Sequence, residues 1–382
     1  MIVQAQMPYI PLKDQSINLV VTSPPYFGLR SYDIPSSVWG GDPTCKHEWD
    51  FFIRKGQSGG KNSEKLQIKG EENFQIVHDQ DQGYCTVCGA WFGQHGSEPT
   101  IAMFLEHEVE IFREVRRVLR DDGVLFLNMG DSYNGSGGAG GDYAKGGLRE
   151  GQPKYKPIQQ ANLKRKDLMG IPWRLAIALQ DDGWYLRSDI IWSKPNNLPE
   201  GRIDRPSKSH EYIFLLTKSE KYFWNYAYKE NVGKPSERRK TFRGGRYVNN
   251  ETYNNSRGLK DKPSVSNDRP SIEGTRPRTV WTIATQGYTG AHFATFPEKL
   301  VEKCIALACP KGGVVFDPFL GSGTVVQVAQ RMGRIGIGTE LGWDYIQQAK
   351  VRTGRTALSR WQGETQAQGE TALSDLPLFG EL

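Results

Sequence analysis

No run of about 18 consecutive apolar residues occurs in the chain, so no membrane-spanning helix is expected. Cysteine is scarce, at five in 382 residues. That is no disulfide framework, and it points to a reducing compartment, the cytoplasm. The beginning, MIVQAQMPYIPLKDQ, has no charged segment followed by an apolar one, so no secretory signal is read there. Charge of one sign is also short. Lys and Arg number 49 against 43 Asp and Glu, a net +6, so attraction to a polyanion has to come from a local basic face. Internal repeats are absent, and no nuclease motif is recognised. What remains is 37% hydrophobic and 24% charged, the composition of a globular chain with a real core. Its length suits one large α/β domain with insertions, or two smaller domains.

Strand-like and helix-like stretches alternate, which predicts a mostly parallel sheet with helices on both faces. Residues 1–39 carry one apolar strand with an unusual ending. Residues 40–100 are richer in Gly, Lys, Gln and Asn and read as an insertion. Residues 101–224 form the central part; within 98–123, Phe104, Leu105, Val109, Phe112, Val115 and Leu119 recur at helical spacing, and Asp121-Asp122-Gly123 reads as the stop. Residues 225–280 are polar and basic, 281–355 return to strand and helix, and 356–382 read as a flexible tail with an apolar terminus. A Gly- and Lys-rich loop around Lys145 is too long to be a mere connection.

Two strand ends carry chemistry. Ile17–Val21 runs into Thr22-Ser23-Pro24-Pro25-Tyr26, where two prolines end the ladder because neither can donate to it. Ser23 offers a hydroxyl, Pro24 a carbonyl held rigid by Pro25, and Tyr26 a ring face. An exocyclic amine on a nucleobase needs such a set: acceptors for its two protons and a surface for its ring. Drawing those hydrogens to fixed acceptors localises the nitrogen lone pair toward an incoming methyl group. The base must leave the duplex to reach it. Taken alone, Pro-Pro-Tyr is also a rigid turn or a proline-rich ligand, and the preceding apolar strand disfavours the latter. The second end is Phe316-Asp317-Pro318-Phe319-Leu320-Gly321-Ser322-Gly323-Thr324, a strand entering a Gly-x-Gly turn that opens a helix. The next strand ends at Glu340, where a carboxylate typically receives a ribose diol. Many such turns are only turns; the Thr339-Glu340 ending favours a nucleoside site.

Together these segments resemble the amino-methylating DNA methyltransferases, which use S-adenosylmethionine to modify cytosine N4 or adenine N6. The catalytic signature falls on Ser23, Pro24, Pro25 and Tyr26, ahead of the cofactor signature, an order that resembles the β subgroup. His292–Lys299 and Trp192–Asn196 resemble two further segments of that family, in the right order. The resemblance implies a doubly wound, mostly parallel seven-stranded sheet in circularly permuted order. It also implies roles: Asp317, Pro318, Phe319, Gly321, Ser322, Gly323 and Thr324 at the amino-acid end of S-adenosylmethionine, Glu340 at its ribose, and Phe296 and Pro297 closing one side. No covalent intermediate is required, so Cys304 and Cys309 are read as core; Asp131 is read either as a site residue or as a helix cap or loop residue. Protein-glutamine and RNA methyltransferases that use a Pro-Pro-Tyr turn usually begin it with Asn and place it after the cofactor strand. A non-catalytic DNA-binding protein on the same fold is a second alternative, disfavoured by intact turns. Ser23, where Asp or Asn is commoner for adenine, points to cytosine N4, with adenine N6 as the alternative.

The insertion carries Cys45-Lys46-His47 and Cys85-Thr86-Val87-Cys88, three thiols and an imidazole that fit a structural zinc, with His78 or His95 as substitutes for His47. Between residues 234 and 278 twelve Lys and Arg, among them Arg238, Arg239, Arg243 and Arg246, interleave with Tyr247 and Tyr253, suited to double-stranded DNA phosphates. The terminus Ala372–Phe379 loosely resembles peptides that bind the bacterial sliding clamp, though docking onto its own domain is the first reading.

Overall fold

The computed structural model describes residues 1–28, 34–56, 75–135, 160–197, 203–230, 276–286, 296–354 and 357–358. The Gly- and Lys-rich loop, nearly all of the basic region, His292–Thr295 and the tail with its clamp-like terminus lie outside the described residues. Tyr226–Thr279 separates as a second unit; the account below concerns Met1–Asn225 with Val280–Leu382.

In chain order the elements are β1 (Ile2–Gln4), β2 (Ile17–Thr22), β3 (Ser37–Trp39), β4 (Trp49–Gly56), β5 (Gln75–Cys85), β6 (Trp91–Gly93), α1 (Ile101–Val118), β7 (Leu119–Met129), α2 (Ile171–Asp181), β8 (Tyr185–Ser193), β9 (His210–Thr217), β10 (Val280–Thr282), α3 (Glu298–Ala308), β11 (Val314–Asp317), α4 (Thr324–Arg331), β12 (Ile335–Glu340), α5 (Trp343–Thr353) and β13 (Ala357–Leu358). The main sheet runs β10-β8-β9-β7-β2-β11-β12-β1-β13, and β9 alone is reversed. Among the described residues this sheet has nine strands beside the seven expected. The two at the edges, β10 and β13, span three and two residues, too short for any periodicity to announce them. No described helix is long and apolar enough to cross a membrane.

The central strands are apolar on both faces because helices cover both faces. All four residues of β11 are buried, as are Leu19, Val20 and Val21 of β2 and Val124 to Leu127 of β7. Helix α1 begins where the Thr100 side chain accepts from the Met103 amide at 3.2 Å, and it buries Phe104, Ile111, Phe112, Val115 and Val118. It ends at Val118, three residues before the Asp121-Asp122-Gly123 stop. Leu119 is already extended, and β7 starts there. The Asp-Asp-Gly break sits instead in an irregularity of the ladder, where the pairing jumps from Ile17↔Leu119 to Leu19↔Val124. The insertion forms its own antiparallel sheet, β3-β6-β5-β4. Cys304 and Cys309 are buried in the core.

Candidate active site

Strands β2 and β11 lie side by side and parallel, with Leu19 opposite Val315 and Val20 opposite Phe316. Both turns therefore leave the same carboxyl edge of the sheet, where α/β folds bind their ligands. The Thr22 hydroxyl donates to Asp317 Oδ1 at 2.8 Å, joining the two strand ends across 295 residues of chain.

On the cofactor side, Asp317 Oδ1 also accepts from the Phe319 amide at 3.1 Å. The carboxyl is fully buried, and burial pushes its pKa up to about 7. Glu340 takes three backbone amides: Gly321 on Oε2 at 2.9 Å, and Leu341 and Gly342 on Oε1 at 3.0 and 2.9 Å. Burial raises its pKa as well. The turn is fastened further to β12 by Leu320 N to Thr339 O and Thr339 Oγ1 to Pro318 O, both 2.9 Å. Gly323 opens α4 at φ +84, and a Cβ there would meet Ala349 of α5 at 3.1 Å, so only glycine serves. The hydroxyls of Ser322 and Thr324 accept from Arg352 at 3.0 and 2.9 Å, which leaves their backbone for any ligand beyond the turn. Arg352 also pairs with Glu298, the residue after Phe296 and Pro297. That ties the start of α3 to the glycine turn.

On the catalytic side, Pro24 is buried, while Ser23, Pro25 and Tyr26 are half-buried. Ser23 Oγ donates to the Tyr26 hydroxyl at 3.2 Å. That hydroxyl lies 2.9 Å from Glu211 Oε2 and 3.1 Å from Asn128 Oδ1. Asn128 Nδ2 donates to Glu211 at 3.2 Å and to the Tyr212 carbonyl at 3.0 Å. Glu211 is paired with Lys194 as well. The Tyr26 ring rests on Gly130, where a Cβ would stand 2.5 Å from the ring. Lys194 belongs to the Trp192–Asn196 segment the sequence singled out; Asn128 and Glu211 escaped it. Glu211 is the second residue of the reversed strand β9, and strand direction is not a local property of sequence.

Asp131 is resolved as a cap. Its carboxylate accepts from Gly170 and Ile171 at 3.1 and 3.2 Å, at the start of α2, and from Ser132 at 2.9 Å.

In the insertion, Cys45, His47, Cys85 and Cys88 converge, with all four donor atoms within 4.8 Å of one another. Cys45 and Cys85 sulfurs are 3.9 Å apart, and Cys88 Sγ is 3.4 Å from His47 Nδ1. Zinc–sulfur bonds of about 2.3 Å in a tetrahedron put sulfurs about 3.8 Å apart. The donor set fits that ion, and the sulfur separation is far beyond a disulfide. His95 is no substitute ligand here. It is buried elsewhere, between Glu98 and Glu108, with Nδ1 and Nε2 each 2.8 Å from a carboxylate. The side chain of His78 lies outside the described residues. Burial pulls the His95 pKa down, but the two carboxylates outweigh it and push it up to about 10. His107 lies 3.1 Å from the same Glu98 oxygen.

Comparison with known proteins agrees with this geometry. Residues 17–351 match the family model N6_N4_Mtase, described as DNA methylase. The chain is 41% identical over 261 residues to the type II methyltransferase M.SmaI of Serratia marcescens, covering 68% of this chain and 77% of that one. It is 36% identical over 342 residues to M.XycI of Xanthomonas campestris pv. cyanopsidis, covering 89% and 82%, and 35% identical over 354 residues to M.Cfr9I of Citrobacter freundii, covering 92% and 84%. The chain belongs to the N6_N4_Mtase family of DNA methylases.

Proposed function

We propose that this protein is a site-specific DNA methyltransferase that moves a methyl group from S-adenosylmethionine to cytosine N4. The observation that carries the reading is the Thr22–Asp317 bond, which brings the Ser-Pro-Pro-Tyr turn beside the glycine turn. S-adenosylmethionine supplies an electrophilic methyl on a sulfonium sulfur. A buried carboxylate, Asp317, and a half-buried one, Glu340, suit this cation. Asp317 faces its ammonium end and Glu340 its ribose diol, and Phe296 and Pro297 close one side of the site. Pro318, Phe319 and Gly321 to Thr324 line the turn between them.

The chain's own residues act on the base. The Ser23 hydroxyl and the Pro24 carbonyl accept the two amine hydrogens, and Tyr26 stacks on the flipped ring. With its hydrogens held, the nitrogen presents its lone pair in line with the methyl. The rate then comes from positioning and charge placement. Ser23, in place of a longer carboxylate or amide, favours cytosine over adenine N6. The relatives are named type II methyltransferases, which supports methylation as the activity. The basic region between residues 225 and 280 supplies phosphate contacts. Cys45, His47, Cys85 and Cys88 hold one structural zinc.

The test is to methylate unmodified DNA in vitro, digest it to nucleosides and separate these by mass spectrometry. N4-methyldeoxycytidine is expected. N6-methyldeoxyadenosine without it would replace the base assignment, and no methylated nucleoside at all would remove the activity.

A further inference from the structure

The insertion returns to the catalytic domain through Gln94–Glu98, and this short segment meets the Ser23–Tyr26 turn at Gly96 and the chain just after it at two more points. The Gly28 amide donates to the Gly96 carbonyl at 2.8 Å. Gln94 Nε2 donates to the Ile34 carbonyl at 2.6 Å. Gly96, at φ +89, lies so close that a Cβ there would stand 3.0 Å from Pro25 Cβ and 3.5 Å from the Tyr26 carbonyl oxygen. The two hydrogen bonds bracket the stretch that follows Tyr26.

The segment is itself anchored from below. Glu98 Oε2 accepts from the Gly96 amide at 2.8 Å, while Oε1 meets His95 and His107. The far nitrogen of His95 meets Glu108 of α1. The His95 ring packs between Phe104, at 5.4 Å, and Phe319 of the glycine turn, at 5.9 Å. On its other side the segment continues β6, which begins three residues after Cys88. The Cys85–Cys88 turn closes through Gly89 N to Cys85 O at 2.9 Å and Cys85 N to Ala90 O at 2.7 Å. Strands β3 and β6 have three residues each and form the short half of the four-stranded sheet, with Trp39 and Trp91 buried. Four ligands on one ion would add a second fastening at the turn that leads into β6.

We propose that the Cys–His tetrad and Gln94–Glu98 form one positioning device for the reaction: bound zinc fixes β6, β6 fixes Gly96 against Pro25, and Ser23 to Tyr26 are thereby held in reacting geometry. The proposal rests on the zinc reading given above. Its consequence is specific. Metal loss slows methyl transfer, while cofactor affinity is kept, because Asp317, Gly321 and Glu340 are fastened by β2, β11 and β12. A displacement of about 1 Å at a reacting centre costs roughly a hundredfold in rate.

The experiment uses the full-length protein and measures zinc content, S-adenosylmethionine affinity by calorimetry, melting temperature, and single-turnover methyl transfer. Protein stripped of zinc by a chelator under reducing conditions should lose about tenfold to a hundredfold in rate, with affinity changed less than about twofold, and Zn²⁺ should restore it. Gly96→Ala keeps all four ligands and should retain its zinc and its cofactor affinity, yet lose rate to the same degree. Gly40→Ala is the control. It carries the same kind of left-handed strain in the same insertion, at φ +64, with nothing within 4 Å of the added methyl. It should keep its rate. Full rate in Gly96→Ala overturns the device, as does full rate in folded, zinc-free protein. If the purified protein holds no zinc, the metal reading fails, and Gly96→Ala still decides whether the segment positions the turn. If stripping unfolds the chain, the same variant decides.

Discussion

Gly130→Ala tests the catalytic turn with a single methyl group. The new Cβ would stand 2.5 Å from Tyr26 Cε2, 2.9 Å from Cδ2 and 3.3 Å from Cζ. Carbon atoms rest at about 3.5–4.0 Å, so the ring has to retreat by about 1 Å. It cannot retreat freely, because its hydroxyl is held by Glu211 and Asn128 at 2.9 and 3.1 Å. Either those bonds stretch or the turn shifts as a whole, and Ser23 shifts with it through its own bond to that hydroxyl. Overpacking of this kind costs about 1–3 kcal/mol in stability. The expected effect on rate is larger, roughly a hundredfold, because a base stacked on Tyr26 as proposed would present its amine off line once the ring is displaced. Glu340, Asp317 and Gly321 do not touch Gly130, so S-adenosylmethionine affinity should hold. The assay is kcat on DNA beside the calorimetric Kd and a thermal melt. A variant with wild-type kcat would refute the reasoning, since Tyr26 could then move without consequence. A variant that loses cofactor affinity as well would show that the two turns are not separable.

The remaining predictions concern pH. Asp317, with its pKa raised by burial to about 7, takes a proton as pH falls through that value and loses its attraction for an ammonium group; S-adenosylmethionine affinity should therefore weaken below about pH 7, by at most tenfold per unit, and Asp317→Asn should flatten the profile measured by calorimetry. His95, raised to about 10 by Glu98 and Glu108 against its own desolvation, contributes stability that is fully present below its unfolded pKa of about 6.5 and is lost as pH rises toward 10. Thermal melts across that window should show a decline that the paired change His95→Leu with Glu108→Leu removes; an unchanged slope would mean that the imidazole is neutral at its site.

Both chemical strand ends were legible because apolar runs stop abruptly on residues with a mechanism. Prolines end β2, and glycines turn β11 into α4. The tetrad was legible from its spacing, and its four side chains converge. Less legible was whatever depends on a distant partner. Strand β1 has three residues and is a strand only because β12 and β13 flank it. Helix α5 buries little besides Ile346 and Ala349, so its pattern is faint, yet its Arg352 holds the glycine turn. The buried ionic cluster did leave a trace. His107 and Glu108 fall on the stripe of α1 that carries Phe104, Ile111, Phe112 and Val115. Polar residues on an apolar face require buried partners, and His95 and Glu98 are those partners. Nothing local to Glu211 betrays that β9 runs backward and delivers its first residues to the active edge.

The chain order of the two signatures matters less than their register. Closing a chain loop costs entropy only as the logarithm of its length. A loop ten times longer than a βαβ unit of about 30 residues costs only about 2 kcal/mol more. Burial of an aliphatic or aromatic side chain returns about 1.5–3 kcal/mol, and Leu19, Val20, Val315 and Phe316 are all fully buried where β2 meets β11. Strand β2, with the proposed catalytic turn, can therefore stand first and β11, with the proposed cofactor turn, near the end at little thermodynamic cost. Register is different. Slipping β2 by one residue would turn its side chains to the opposite face and would break the Thr22–Asp317 bond. It would also carry Ser23 about 3.3 Å along the edge, more than the length of the hydrogen bond that Ser23 is proposed to make to the base. The proposed methylation geometry thus rests on two buried side chains, Thr22 and Asp317, at the ends of neighbouring strands.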